Sequence, residues 1–410
     1  MSIRADLLIH GARLVTAGSE FAADIAICDG CFAWIGPAGE FGGVCAERFE
    51  ADGLTALPGL IDAHVHCRAP GAHAYKADYA SESRAAAAGG VTTMLTMPNT
   101  VPHTSTVEVL AAVRAAAQAS LIDYGLQFMI KPDNLDQILA ARGVAAFKLY
   151  LDPTTGVDNP LAGEEVLRPV LRTGVMLTAH AEGDTLDHLL DCHRRWGAGP
   201  LYICHVSLKR EVESLRRAKQ SGQWVYGEAT PHHLLLDNSD FARLGAYADM
   251  RPTLKPAADV AALWQGLADG TIDTIATDHA PHTHEDKQRT PPPPGVPGLQ
   301  TMLPLLLTAV SEGRLSWRDL VRLTSRNPAA IFGLAGKGLV RVGADADLTL
   351  VDPAQRHVIS DGEQLTKPGW TPFAGRGVMG AVVGTLRRGQ WVWREGVAAR
   401  GAGGQEVLVR

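Results

Sequence analysis

The chain has 410 residues, 46% hydrophobic and 20% charged, with a formal net charge of −6. That composition describes an ordinary soluble globular enzyme, long enough for one large domain or a domain with an appendage. The acidic balance gives no electrostatic reason to expect nucleic acid or an anionic membrane surface as partner.

The start, Met1-Ser2-Ile3-Arg4-Ala5-Asp6, lacks the apolar core of a signal peptide. No apolar run approaches a membrane span, and the longest candidates, such as Met302–Val310, are broken by polar residues or Pro. Six cysteines in a chain of this length read as reduced thiols, which places the protein in the cytoplasm.

Residues 1–56 alternate polar and apolar in short runs split by Gly and Asp. Ala5–Val15, Asp24–Ile35 and Arg48–Leu57 are expected to form strands of a small antiparallel sheet. Cys28 and Cys31 form a C-x-x-C without a second pair, in a segment patterned as a hairpin, so the pair is read as structural.

From residue 57 the rhythm changes. Apolar strand-like runs fall at Leu57–His66, Val91–Met97, Ile122–Ile130, Ala145–Leu151, Val175–His180, Leu201–Val206, Trp224–Ala229 and Ile272–Thr277. Helical stretches lie between them, for example Lys76–Ala88, Val107–Gln118, Asp184–Arg195, Lys209–Gln220 and Ala258–Ala268. Strands alternating with helices favour parallel pairing, and eight strands close a (β/α)₈ TIM barrel of the α/β class. Pro291–Pro294 followed by Gly295 is a loop. Short strands return at Asp347–Asp352, Val378–Leu386 and Trp391–Arg394, with a turn at Arg388-Gly389. The expected organisation is a barrel over 57–335 flanked by a small β-sandwich domain made from 1–56 and 336–410.

A barrel places its chemistry just after the C-termini of its strands. His64 and His66 lie two apart on the first strand, so both imidazoles leave one face, and Arg68 continues it. Strand two ends in Met97-Pro98-Asn99, strand four carries Lys148, strand five ends in His180 and strand six in Cys204-His205. Strand seven offers Glu228 and then His232 and His233, and strand eight ends in Asp278-His279-Ala280-Pro281-His282. Strand three offers nothing comparable. Core histidines scattered for packing would not track strand ends in this way.

Four imidazoles (His64, His66, His180, His205) and the carboxylate of Asp278 suit Zn²⁺, with Fe, Co or Mn as alternatives. Five ligands exceed one tetrahedral site, which points to two neighbouring metals. Lys148 is either ion-paired nearby or carboxylated by CO₂ to a bridging carbamate; its place in an apolar strand among ligands favours the carbamate. Such a centre holds a hydroxide at neutral pH and polarises a carbonyl, with Asp278 as general acid/base, so the reaction class is metal-assisted hydrolysis. Arg68 and Asn99 share the mouth, and Arg251 joins them or lies on the surface. Two arginines facing one pocket imply an anionic substrate, a carboxylate.

His-x-His-x-Arg-x-Pro-Gly, Met-Pro-Asn, the barrel Lys, His-Ala-Glu, Cys-His-Val, Pro-His-His and Thr-Asp-His-Ala-Pro-His together resemble the amidohydrolase superfamily, cyclic amidase branch. Within it the likeness is to dihydroorotases, above all the dihydroorotase domain of the animal multifunctional pyrimidine-synthesis protein. It runs on through Pro292–Arg314 and Trp370-Thr371-Pro372-Phe373.

The resemblance implies that His64, His66, Lys148 (carboxylated), His180, His205 and Asp278 hold two Zn²⁺ per subunit. It leaves room for a third zinc at Cys204 and Glu228. It implies that Arg68, Asn99, Arg251 and His282 bind dihydroorotate with help from the backbone of Pro297 and Gly298, and that Thr154 or Thr155 belongs to a flexible loop over the substrate. His232 and His233 receive no agreed ligand role and are candidates to orient the ligands.

The implied reaction is the reversible interconversion of L-dihydroorotate and N-carbamoyl-L-aspartate in pyrimidine biosynthesis, in a homodimer. The chain is expected to lack fused synthetase or transcarbamoylase domains and to associate with a separate aspartate transcarbamoylase. The rivals are a hydantoinase, dihydropyrimidinase or allantoinase, which lack the carboxylate clamp, and a catalytically silent scaffold, which would lack the ligands.

Overall fold

Residues 3–154, 163–401, 403–407 and 409 are described by the computed structural model. In chain order the strands are β1 (Arg4–Val15), β2 (Glu20–Cys28), β3 (Cys31–Pro37), β4 (Val44–Glu50) and β5 (Thr55–Pro58). The barrel strands follow: β6 (Leu60–Val65), β7 (Val91–Thr96), β8 (Asp123–Met129), β9 (Ala146–Tyr150), β10 (Leu177–His180), β11 (Leu201–Ile203), β12 (Val225–Ala229) and β13 (Thr274–Ile275). The last are β14 (Leu348–Val358), β15 (Gly377–Arg387), β16 (Gln390–Arg394) and β17 (Val397–Ala398).

Strands β6 to β13 lie side by side in sequence order, each parallel to the next. The circle is joined by the parallel bridge Val65↔His279, where the His66 N–H donates to the His279 carbonyl at 2.8 Å. Apart from the partly exposed Tyr226, every residue of these strands is buried. Lumen side chains fill one face and helices cover the other, so each strand reads as an apolar run rather than an alternation. The fold is a (β/α)₈ TIM barrel with a β-rich unit built from both chain ends.

That second unit is a nine-stranded hydrogen-bonded sheet in the order β17-β16-β15-β14-β5-β1-β2-β3, with β4 on β1. It is mixed rather than antiparallel, because β1 pairs parallel with both β4 and β5. The expected strand Arg48–Leu57 is two strands, split by the turn at Asp52-Gly53, where Gly53 takes φ +81°. Asp29 and Gly30, both at positive φ, close the β2–β3 hairpin and set Cys28 opposite Cys31 as free thiols. Leu7, Ile9, Leu14, Ile25, Ile27 and Phe32 pack with Leu348, Leu350 and Leu386 into its core.

Several barrel elements are shorter than their patterns, β11 ending at Ile203 among them, and two have a visible cause. The helix expected from Lys76 begins at Tyr79, because the Asp78 carboxylate caps it by accepting the Ser81 N–H at 2.8 Å. Strand eight shrinks to Thr274–Ile275 because a side chain takes over its ladder. The Asp62 carboxylate accepts the Thr277 N–H at 3.1 Å and the Thr277 hydroxyl at 2.6 Å. At the opposite end of the barrel, buried Lys337 ties Asp123 of β8 to Asp345 and Asp347 beside β14, at 2.5, 2.8 and 2.8 Å. Burial opposes the Lys337 charge, but these carboxylates hold its pKa above the usual lysine value.

Candidate metal centre

Asp62, His64 and His66 alternate along β6 and its end, so all three point into the lumen. Asp62 lies deepest and fixes the strand, also accepting the His64 N–H at 3.1 Å; burial pushes its pKa up to about 6. The sequence reading gave Asp62 no role, although its place two residues before His64 on the same face was visible.

His64 and His66 are each oriented through Nδ1 and offered inward through Nε2. His64 Nδ1 lies 2.8 Å from Glu228 Oε1 and His66 Nδ1 lies 2.6 Å from Asn99 Oδ1. Their Nε2 atoms converge on Asp278 Oδ1, each at 3.1 Å. Across the lumen, His180 Nδ1 and His205 Nε2 are 2.9 Å apart. Lys148 is fully buried, with its Nζ 2.8 Å from Cys204 Sγ and 5.2 Å from the centroid of the Tyr150 ring. Arg68, His205 and Asp278 all adopt positive φ, at 59°, 35° and 45°. A non-glycine backbone held there stores strain, and at the strand mouths it turns side chains towards the centre.

One cavity is lined by His64, His66, Lys148, His180, His205 and Asp278, together with Arg68, Asn99, Arg251 and Thr154. Tyr150, Ala280, Pro294 and Gly295 complete the lining. Thr155 lies outside the described residues. His282 is turned away from the cavity: its Nδ1 is 3.1 Å from Lys76 Nζ, and its Nε2 donates to the Pro294 carbonyl at 3.0 Å. Gly298 gives its N–H to His279 Nδ1 at 3.1 Å, and His279 Nε2 in turn meets Glu82 at 2.7 Å. Pro297 and Gly298 are thus neighbours of the lining rather than part of it. Arg251 reaches the wall already paired with Asp249 at 2.5 Å.

The donor set fits divalent cations. His64, His205 and Asp278 bring ligand atoms within 4.8 Å of one another. His205 Nδ1 is buried and has no hydrogen-bond partner among the described residues, while His180 Nε2 lies 3.5 Å from Glu182 Oε1. Metal ligands must be deprotonated, and the surroundings push that way for two of the histidines. Burial takes His66 down to about 3, and burial with the neighbouring His180 takes His205 well below its usual value. Burial also works against the Asp278 charge, yet His64 and His66 hold its carboxyl well below the carboxylate range. For His64, burial opposes a proton, but Asp278 and Glu228 outweigh it and raise its pKa. A cation between these groups would replace that proton.

Cys204 and Glu228 also come within 4.8 Å of a His64 nitrogen. Glu228 is already occupied, accepting from Tyr202 Oη at 2.8 Å and from the His205 N–H at 2.9 Å. The rings of His232 and His233 lie 4.4 Å apart, tilted by 58°. His233 Nε2 must donate to the Pro252 carbonyl at 3.0 Å, so its Nδ1 accepts the Thr230 hydroxyl at 2.8 Å. That ring anchors the residue next to Arg251.

Residues 55–392 match the amidohydrolase family. The multifunctional protein CAD of Squalus acanthias is 40% identical over 85% of the chain, which spans only 15% of that protein. An allantoinase of Rubrobacter xylanophilus is 34% identical over 98% of the chain and 97% of its own length. A dihydroorotase of Methanosarcina acetivorans is 34% identical over 95% of the chain and 92% of its own length. Among solved structures, L-hydantoinase (dihydropyrimidinase) from Arthrobacter aurescens superposes with a TM-score of 0.93 at 28% identity, covering 98% of this chain and all of that one.

Proposed function

The chain belongs to the amidohydrolase family, and from that premise we propose that it is a dihydroorotase, opening L-dihydroorotate to N-carbamoyl-L-aspartate and closing it again. Its relatives include enzymes named for three cyclic substrates, so the choice rests on the cavity. The observation that carries it is Arg68. Its side chain is 3% exposed, it lines the cavity of the candidate ligands, and its Nε and Nη2 have no partner among the described residues. A guanidinium held dry with two N–H groups unused is a receptor for a carboxylate. Dihydroorotate carries one; hydantoin and allantoin do not.

In this reading His64, His66, Lys148, His180, His205 and Asp278 hold two divalent cations, zinc being the metal that best suits the nitrogen-rich set. When bound, these ions supply a hydroxide at neutral pH and polarise the scissile carbonyl. The Lys148 amine supports its carboxylation: it is fully buried, and among the described residues no carboxylate pairs with it and a thiol is its only hydrogen-bond partner. An ammonium there would be a buried, uncompensated charge, whereas a carbamate is an anion suited to two cations. Arg68 takes the substrate carboxylate, and Asn99 fixes the His66 ring through its Nδ1. Asp278 accepts the proton of the attacking water and returns it to the departing ring nitrogen. Glu228 keeps its place as the brace of His64 and His205.

Initial rates on dihydroorotate, hydantoin, dihydrouracil and allantoin, with metal content measured on the same preparation, test the assignment. Dihydroorotate should have the highest kcat/KM. Faster turnover of an uncharged ring would assign the cavity to the hydantoinase or allantoinase reaction instead.

A further inference from the structure

Tyr150 lies two residues after Lys148 on β9, so both side chains leave the same face of the strand and line the cavity. Its side chain is 4% exposed, and its hydroxyl has no hydrogen-bond partner among the described residues. Buried hydroxyls are nearly always paired, so one that is not, and that borders a cavity, points to a ligand. The sequence reading passed over it as part of an apolar strand.

The direction of the phenol narrows what that ligand group is. Lys148 Nζ sits over the ring, 5.2 Å from its centroid, so the amine meets the face while the hydroxyl lies at the rim, in the plane of the ring. The hydroxyl is therefore not aimed at Lys148. Arg68 lines the same cavity and likewise offers Nε and Nη2 unpaired among the described residues. One charged fork and one neutral hydroxyl, both buried and both unsatisfied, share a cavity. A carboxylate has about four lone-pair sites and can satisfy both at once, which a single ring carbonyl cannot do as well.

We propose that the Tyr150 hydroxyl is a substrate-binding donor that shares the carboxylate of a cyclic-amide acid with Arg68, and so sets preference for acidic over neutral rings. This inference rests on the dihydroorotase reading. It adds a second, neutral anchor that fixes the rotation of the carboxylate about its bond to the ring. The reacting amide, carried on the same ring, is thereby presented in one orientation.

Tyr150→Phe removes the hydroxyl and keeps the ring over Lys148. The test is calorimetric binding of orotate, an unreactive planar acid, to wild type and Y150F at equal metal content, with kcat and KM for dihydroorotate and thermal melting alongside. Y150F should bind orotate about 10- to 100-fold more weakly, the usual effect of losing a hydrogen bond to a charged group. The KM for dihydroorotate should rise more than kcat falls. Because the hydroxyl makes no hydrogen bond among the described residues, Y150F should melt at or above the wild-type temperature. Wild-type orotate affinity in Y150F, or a clear drop in melting temperature without a change in affinity, would overturn the proposal while leaving dihydroorotase activity standing. A wild-type protein that neither binds orotate nor opens dihydroorotate would overturn the dihydroorotase reading and this inference with it.

Discussion

Replacing Arg68 by Met keeps an unbranched apolar stem in the wall and removes only the guanidinium. In the wild type, Nε and Nη2 are buried and unpaired among the described residues, so they are stripped of water before substrate arrives. Each can then contribute a charge-assisted hydrogen bond to the carboxylate, typically ~1.5–3 kcal/mol. Two such bonds amount to about 3–6 kcal/mol, which is a fall of roughly 10²- to 10⁴-fold in kcat/KM for dihydroorotate. The same change should affect a neutral ring such as hydantoin much less, so the ratio of the two kcat/KM values is the diagnostic quantity. R68M should also melt no lower than wild type without substrate, because it removes a buried charge whose donors are unsatisfied. Initial-rate assays on both substrates and a thermal melt measure all three effects. A loss of less than about tenfold on dihydroorotate, or an equal loss on hydantoin, would refute the carboxylate-receptor argument.

Lys148→Ala should lower bound metal and cut turnover by about 10³-fold or more, since it removes the amine whose carbamate would help hold the cations; full metal content with full activity would sink the carbamate. Glu228→Ala leaves His64 Nδ1, the Tyr202 hydroxyl and the His205 N–H without their buried acceptor. It should destabilise the protein by ~3–5 kcal/mol in urea titrations, and an unchanged midpoint would show that Glu228 is no brace. His233 gives a pH signature. Burial lowers its pKa to about 4 from an ordinary 6.5. Between those values the unfolded chain binds the proton more readily than the native one. Stability therefore falls as pH drops from 6.5 towards 4, by up to ~3 kcal/mol from this group. His233→Asn should lack that part of the slope, and parallel stability–pH curves for the two proteins would contradict the assignment.

Much of the barrel is legible along the chain because its signals are local. Apolar runs bounded by Gly and Pro mark β6 to β12, and Lys209–Gln220 is a helix with the expected ends. Where the pattern misleads, a distant side chain is responsible. Strand eight stops at Ile275 because Asp62, more than 200 residues away in sequence, takes the Thr277 N–H. Trp370 Nε1 binds the His282 carbonyl and Lys76 occupies its ring nitrogen, so a histidine that looks available in the motif is committed elsewhere.

The sequence by itself determined which residues share a face: His64 with His66, and Lys148 with Tyr150, follow from the two-residue period of a strand. It also determined that polar residues gather at strand ends, because an apolar strand tolerates them there. Only the tertiary structure decided which nitrogen meets which oxygen. Glu228 braces His64, Asn99 braces His66, and Asp278 reaches both Nε2 atoms, through pairs separated by as many as 214 and 212 positions in the chain. Those partners are set by the register and closure of the barrel, and no period within a single strand encodes its neighbour across the lumen.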